Sequence, residues 1–363
     1  MLEGIRVIDF TNYLPGPYAT LRLVDLGADI IKIEPPSGDP ARNTGVPEGE
    51  ETGAVFRAQN RGKKSVALNL KAEEDRAIAL KLIAQADAVI ESFRPNVMAK
   101  LGLSYEEVRK VNPKIVYVSI TGYGTEGAMT ELGSHDLNYM ALSGILAQLK
   151  DREGRPVHPT NTFADFIGGM AASERILAGL VSRLKTGNGS YHCISLTEAM
   201  ISLMTNHVLI EKETGYPYGV NVLNGSIVAY GLYETKDKRF MSMGALEPKF
   251  WEHFCHAVGR TDWIAAHFSK AEAGNPVYEE LQSLFKSKTL AEWTEFGQRV
   301  DCCLAPVLET WELATFPYFR EREVIYETPN GIRQVRMHGD KQVNQQARPP
   351  EKGEHNQSVL KDL

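Results

Sequence analysis

The first half of the chain alternates short runs of β-branched residues with stretches of helical periodicity. No other feature restricts the fold as tightly. "IRVIDF", "DIIKIE", "KSVALNL", "DAVIESF" and "KIVYVSI" read as strands, and residues 17 to 27, 72 to 86 and 104 to 111 read as helices between them. Strands joined by helices run parallel, so the expected class is α/β, with a large Rossmann-like sheet covered by helices on both faces.

Helical spacing returns in "DFIGGMAASERILAGLVSRL", which the Gly-rich "KTGNGS" closes. "YHCISL" then reads as a strand and "TEAMISLMTNHVLIEKE" as one long helix. From about residue 226 the pattern changes. "IVAYGLYETKDKRFMSMGA" reads as an antiparallel hairpin turning at "KDK", and helical segments follow from "EPKFWEHFCHAVG" to "LAEWTEFGQRV". A chain of 363 residues exceeds the size at which one core stops growing. The expected organisation is therefore a large domain over residues 1–200, a linker helix over 201–225 and a smaller α+β domain over 226–310. Residues 311–363 form a return linker and the last part of the large domain.

A net charge of -6 and scattered Lys and Arg residues exclude a polyanion footprint, so nucleic acid is not an expected partner. No uncharged apolar run reaches bilayer length, and "MLEGIRVIDF" lacks the pattern of an export signal. The expectation is a cytoplasmic protein without membrane contact, its four cysteines reduced.

No GxGxxG follows the first strand, and no Walker A sequence, HExxH or paired Cys/His spacing occurs. No metal site is expected. Polar residues do gather where open α/β sheets place ligands, at strand ends and helix starts. Glu91 and Arg94 close "DAVIESFRP". Asn60, Arg61, Lys63 and Lys64 lie in "NRGKKS", and Arg42 follows "IIKIEPP" in "GDPARN". Such clusters suit a phosphorylated ligand, and equally a solvated surface. In "GSHDLNYMALSG", His135 and Asp136 precede an apolar run, where a histidine serves either as a proton carrier or as a polar helix entrance. Asp165 in "ADFIGG" is open to the same two readings, as a site carboxylate or as the cap of the helix that follows.

"LEGIRVIDFTNYLPGPYATLRLVDLGADIIKIEPP", "NRGKKSVALNLK" and "DAVIESFRPNVMAKLGL" together resemble the family III CoA-transferase (CaiB/BaiF) superfamily, and within it the α-methylacyl-CoA racemases. In the transferase branch an aspartate at the position of Asp165 is the nucleophile, and the residue at the position of His135 is usually aromatic. Here the sequence is Ser134, His135, Asp136, which looks like the racemase branch. The run of glycines found in formyl-CoA-type transferases is missing from "YETKDKRFMSMGALEPKFW", whose Glu247 corresponds to a racemase glutamate. The chain length also matches the racemases.

The resemblance implies that His135 and Asp165 exchange a proton at the α-carbon of a 2-methylacyl-CoA thioester, with coenzyme A as part of the substrate and no prosthetic group. The backbone N–H of Asp136 would meet the enolate oxygen. Glu91 would orient the imidazole, and Glu247 would reach in from the small domain. Arg42, Lys63, Lys64 and Arg94 would meet phosphates, with Asn60 and Arg61 near the adenine. The subunits are expected to be rings interlocked in a homodimer. Two alternatives stay open: a CoA-transferase with Asp165 as nucleophile, and a non-catalytic acyl-CoA-binding protein.

Overall fold

The apolar runs of the first half pair into one six-stranded parallel sheet. The computed structural model describes residues 1–45, 52–151, 153–338, 347–361 and 363. It contains two compact units, Met1–Met204 with Pro317–Leu363, and Thr205–Phe316.

In the first unit the elements are β1 (Arg6–Asp9), α1 (Pro15–Asp25), β2 (Asp29–Glu34), α2 (Ala54–Gln59), β3 (Lys64–Ala67), α3 (Glu73–Ala84) and β4 (Ala88–Glu91). They continue with α4 (Val97–Lys100), α5 (Tyr105–Val111), β5 (Val116–Thr121), α6 (Asp136–Leu142), α7 (Phe163–Thr186), β6 (Ser190–Ser195) and α8 (Leu196–Ile201). The strand order is β3-β2-β1-β4-β5-β6, with every pairing parallel. All residues of β4 and β5 are buried, which is why these runs are apolar on both faces. On one face Ile90, Val116, Val118 and Ile120 pack against Ala172, Ile176 and Leu180 of α7 and Tyr139 and Met140 of α6. On the other, Val89 and Tyr117 pack with Ala79, Leu82 and Ile83 of α3. Strand order reverses between β1 and β4, so Asp9 and Glu91 end their strands at the crevice where such sheets take ligands.

Gly187, in the left-handed conformation (φ 75°), ends α7 as "KTG" leads one to expect. Gly169 of α7 lies against α1: a Cβ there would stand 2.5 Å from the Pro15 carbonyl oxygen and 3.0 Å from the Tyr18 ring. A backbone oxygen cannot swing aside, so Gly169→Ala must part the two helices. The expected loss is about 1–3 kcal/mol in urea unfolding; an unchanged midpoint would show that the contact is slack.

The long helix expected across "TEAMISLMTNHVLIEKE" is broken. After α8 the chain tightens into a 3-10 turn at Ser202–Met204, and the second unit begins at Thr205. Ser202 Oγ donates back to the Ala199 carbonyl at 2.7 Å, a bond that bends helices.

The second unit holds α9 (Thr205–Thr214), β7 (Tyr230–Glu234), β8 (Phe240–Gly244), α10 (Pro248–Ala257), α11 (Pro276–Phe285), α12 (Leu290–Arg299) and β9 (Leu304–Pro306). β7 and β8 form the antiparallel hairpin anticipated from the sequence, with β9 added on the far side of β8. Trp251, Phe254, Phe285 and Trp293 fill its core.

The chain then adds α13 (Pro317–Glu321), a small pair β10 (Ile325–Glu327) and β11 (Arg333–Val335), and α14 (Asn356–Leu360) to the first unit. His355 covers the free edge of β3: its N–H donates to the Ser65 carbonyl at 2.9 Å, and its Nδ1 accepts from Ser65 N–H at 3.2 Å. Among the described residues no helix is long and apolar enough to cross a membrane.

Candidate active site

His135 stands at the cap position of α6, exposed, with Asn138 Oδ1 accepting from its N–H at 3.0 Å. The N–H groups of Asp136 and Leu137 that follow are in the first turn, where a helix has no acceptor for them. The helix that contains "ADFIGG" begins at Phe163 with Thr162 as its cap, so Asp165 is the third helical residue of α7 and does not cap it. The two helix heads are tied together, because Asp136 Oδ1 accepts from Asp165 N–H at 3.0 Å. The Asp165 carboxyl is pushed up to about 7, first by burial and then by the charge of Asp136. A carboxyl in that range can both give and take a proton near neutrality.

Among the described residues Glu91 makes no hydrogen bond to His135. Its side chain accepts from Phe93 N–H at 2.8 Å and from the Ser119 hydroxyl. The reason is the strand pleat: Ile90 points to the face carrying α6 and α7, so Glu91 points to the opposite one. There it lines a cavity of about 450 Å³ with Tyr117, Ser119, Thr121, Tyr191 and Arg94. Burial pushes its carboxyl up from near 4.5 to about 7. A raised carboxyl stabilises the fold fully below its unfolded value, and that contribution is lost as pH climbs through 7. The whole effect is roughly 3 to 4 kcal/mol at most. Glu91→Gln should remove this share, so urea midpoints measured on the acid and alkaline sides of that window should differ less than in the parent. An equal difference in both proteins would show that Glu91 is already ionised.

The cations expected at a ligand are mostly spent inside the fold. Arg42 makes a two-pronged contact with Glu34 (2.7 Å each) and lies over the Phe56 ring. Arg61 does the same with Asp25 at 2.6 and 2.7 Å. Lys63 donates to the Pro17 carbonyl at 2.9 Å and Asn60 Oδ1 at 2.8 Å, beside Asp9 at 3.4 Å. Asn60 in turn donates to the Phe56 carbonyl at 3.0 Å. These four side chains are buried and engaged within the fold, although the buried Arg61 Nε has no partner among the described residues. Lys64 is half-exposed on Asp29. Arg94 is exposed and carries no ion pair among the described residues; its guanidinium lies against Gly133, just before Ser134 and His135.

The family model described as CoA-transferase family III matches residues 2–356. The chain belongs to CoA-transferase family III. It is 30% identical to the α-methylacyl-CoA racemase of Mus musculus, covering 100% of this chain and 93% of that protein. It is also 30% identical to the acetyl-CoA:oxalate CoA-transferase of Acetobacter aceti, over 90% of this chain and 85% of that one. Among solved structures, a CAIB/BAIF family protein from Brucella suis superposes with a TM-score of 0.84 at 26% identity, covering 99% and 98% of the two chains. Family III thus supplies both racemases and CoA-transferases as relatives, and both kinds act on CoA thioesters.

Of the cations expected at a ligand, Arg94 is the one left exposed and without an ion pair among the described residues. Glu247, exposed at the head of α10, lies in the second unit. Two features escape a reading of the sequence. His158, in the segment leading into α7, faces Asp136 closely enough for its charge to act on it, and nothing in its surroundings "RPVHPT" signals that. The other is a buried network at the strand ends, where Lys32 pairs with Asp39 at 2.8 Å beside Asp9 and Glu34. Its signal was present, as charges inside the apolar runs "VIDF" and "DIIKIE".

Proposed function

We propose that the chain is a cofactor-independent racemase or epimerase of 2-methylacyl-CoA thioesters. The observation that carries the reading is the tie between Asp136 and Asp165, which joins the residue after His135 to a carboxyl that titrates near neutrality. With one enantiomer, neutral His135 takes the α-proton, the electron pair moves into an enolate, and Asp165 returns its own proton from the opposite face. The other enantiomer runs the same steps with the roles exchanged, so the pair ends each inversion in the opposite protonation state. First-turn N–H groups of α6, Asp136 first, meet the enolate oxygen. Arg94 steers the anionic CoA portion.

The resemblance to racemases supports a homodimer of interlocked rings, in which Glu247 of the small unit joins the site and takes the orienting role. A transferase reading is favoured by the several CoA-transferases among the relatives, that of Acetobacter aceti included, and would use Asp165 as nucleophile. Hydroxylamine separates the two. Incubated with an acyl-CoA, the protein should yield no hydroxamate at Asp165. A hydroxamate at Asp165, formed as hydroxylamine displaces the CoA thiolate or carboxylate from an activated aspartyl carbonyl, would make the chain a transferase; binding without either chemistry would make it an acyl-CoA carrier.

A further inference from the structure

Helix α7 begins without a cap of its own. Thr162 offers no side-chain bond to the first N–H groups, which have no acceptor inside the helix. Phe163 N–H donates to the Asn161 carbonyl at 3.1 Å and Phe166 N–H to that of Thr162 at 3.2 Å. The N–H groups between them, of Ala164 and Asp165, both go to the Asp136 carboxylate, which comes from a different helix. An aspartate in the first turn of a helix of 24 residues is ordinarily held ionised by such groups and by the helix dipole. Asp165 does the opposite, being pushed up by burial and by Asp136.

We propose that the side chain of Asp136 is a positioning residue for Asp165: it takes the N–H groups at the head of α7, denies them to the neighbouring carboxyl and sets a negative charge beside it, keeping Asp165 as a proton donor. The elements packed on α7 carry other titratable or charged groups: Tyr18, Arg22 and Asp25 of α1, Tyr117 of β5, His135 and Tyr139 at α6, Tyr191, His192 and Cys193 of β6 and Glu198 of α8. Among the described residues, Asp136 is the charge that acts on Asp165. Burial pushes Asp136 up as well, but its two N–H bonds and the charge of His158 pull the other way. Asp165 has no comparable help. The member of the pair that holds the donors is the one that ionises first.

The kinetic consequence rests on the racemase reading; the structural one does not, and the test keeps them apart. Asp136→Asn retains an oxygen for the two N–H groups and removes the charge, while Asp136→Glu retains the charge. Amidation by a water-soluble carbodiimide with glycine ethyl ester consumes protonated carboxyls, and peptide mass spectrometry follows it at Asp165 across the acid-to-alkaline range. In the parent, labelling should fall with a midpoint near pH 7. In Asp136→Asn the midpoint should drop, cutting labelling at neutral pH several-fold, and Asp136→Glu should restore it. The limb of the pH–rate profile for α-proton exchange that belongs to Asp165 should move down with it. Asp136→Ser, a second neutral cap, replaces Asp136→Asn if that variant does not fold. An unchanged midpoint in a folded neutral variant overturns the proposal. Absence of exchange in the parent counts against the racemase reading alone, because labelling does not depend on turnover.

Discussion

His135→Ala should stop solvent deuterium from entering the α-carbon of a 2-methylacyl-CoA, with a fall of about 10³-fold or more. CoA affinity should stay within about twofold, because the imidazole acts only on the reacting carbon. The size of the effect follows from the chemistry: with one of two bases gone, inversion lacks either its acceptor or its donor in both directions. Unfolding would not explain the loss. His135 is exposed at a helix cap, and removing a cap costs about 1 kcal/mol, a small part of a domain's stability. Circular dichroism and a CoA titration on the same sample check both points. Parallel loss of exchange and CoA binding would make His135 a structural residue.

Asp9→Ala should be among the most destabilising single changes in the first unit, lowering its unfolding free energy by about 3–5 kcal/mol in urea titration. Asp9 is fully buried at the end of β1, accepting from Thr11 N–H at 2.9 Å and Thr20 Oγ1 at 2.6 Å, with Lys63 alongside. The charges of Lys63 and Lys32 hold its carboxyl below the usual range against the cost of burial, and it holds Lys32 up in return. Truncation leaves two lysines in the interior with too few partners. Lys63 has an escape, since burial already pulls it down to about 7. A lysine with a lowered folded value sheds its proton before the unfolded chain does, so stability is regained as pH rises above that value. Asp9→Ala removes the charge that holds Lys63 up, so the release comes at lower pH than in the parent, and the deficit should narrow as pH rises towards 7 and stay level above it. A deficit under about 1 kcal/mol would mean that the network is a solvated cluster, for which such small values are usual.

The parallel sheet is legible in the sequence because burial on both faces leaves little choice of residue, as β4 and β5 show. The fate of the basic residues is not. "NRGKKS" reads as a loop of free cations, yet Arg61 and Lys63 are claimed by Asp25 and Asp9, 36 and 54 residues earlier in the chain. Only the folded sheet brings those acids near. Glu91 is a subtler case. Alternation along β4 tells that Ile90 and Glu91 point to opposite faces, but not which face carries the helix of His135. That helix could be recognised from its apolar spacing, whereas α7 begins at Phe163, three residues before the start that a capping role for Asp165 requires. Pairing of Asp136 with the head of α7 is a contact between helices and left no mark on local pattern.

The central claim is that a proton, and not an acyl group, moves at this site. The most direct test is a single enantiomer of a 2-methylacyl-CoA incubated with the protein in heavy water, with no acceptor acid present. The account predicts deuterium at the α-carbon together with loss of optical activity, and neither in His135→Ala. Retention of the proton and of the configuration by the folded, CoA-binding protein would contradict it.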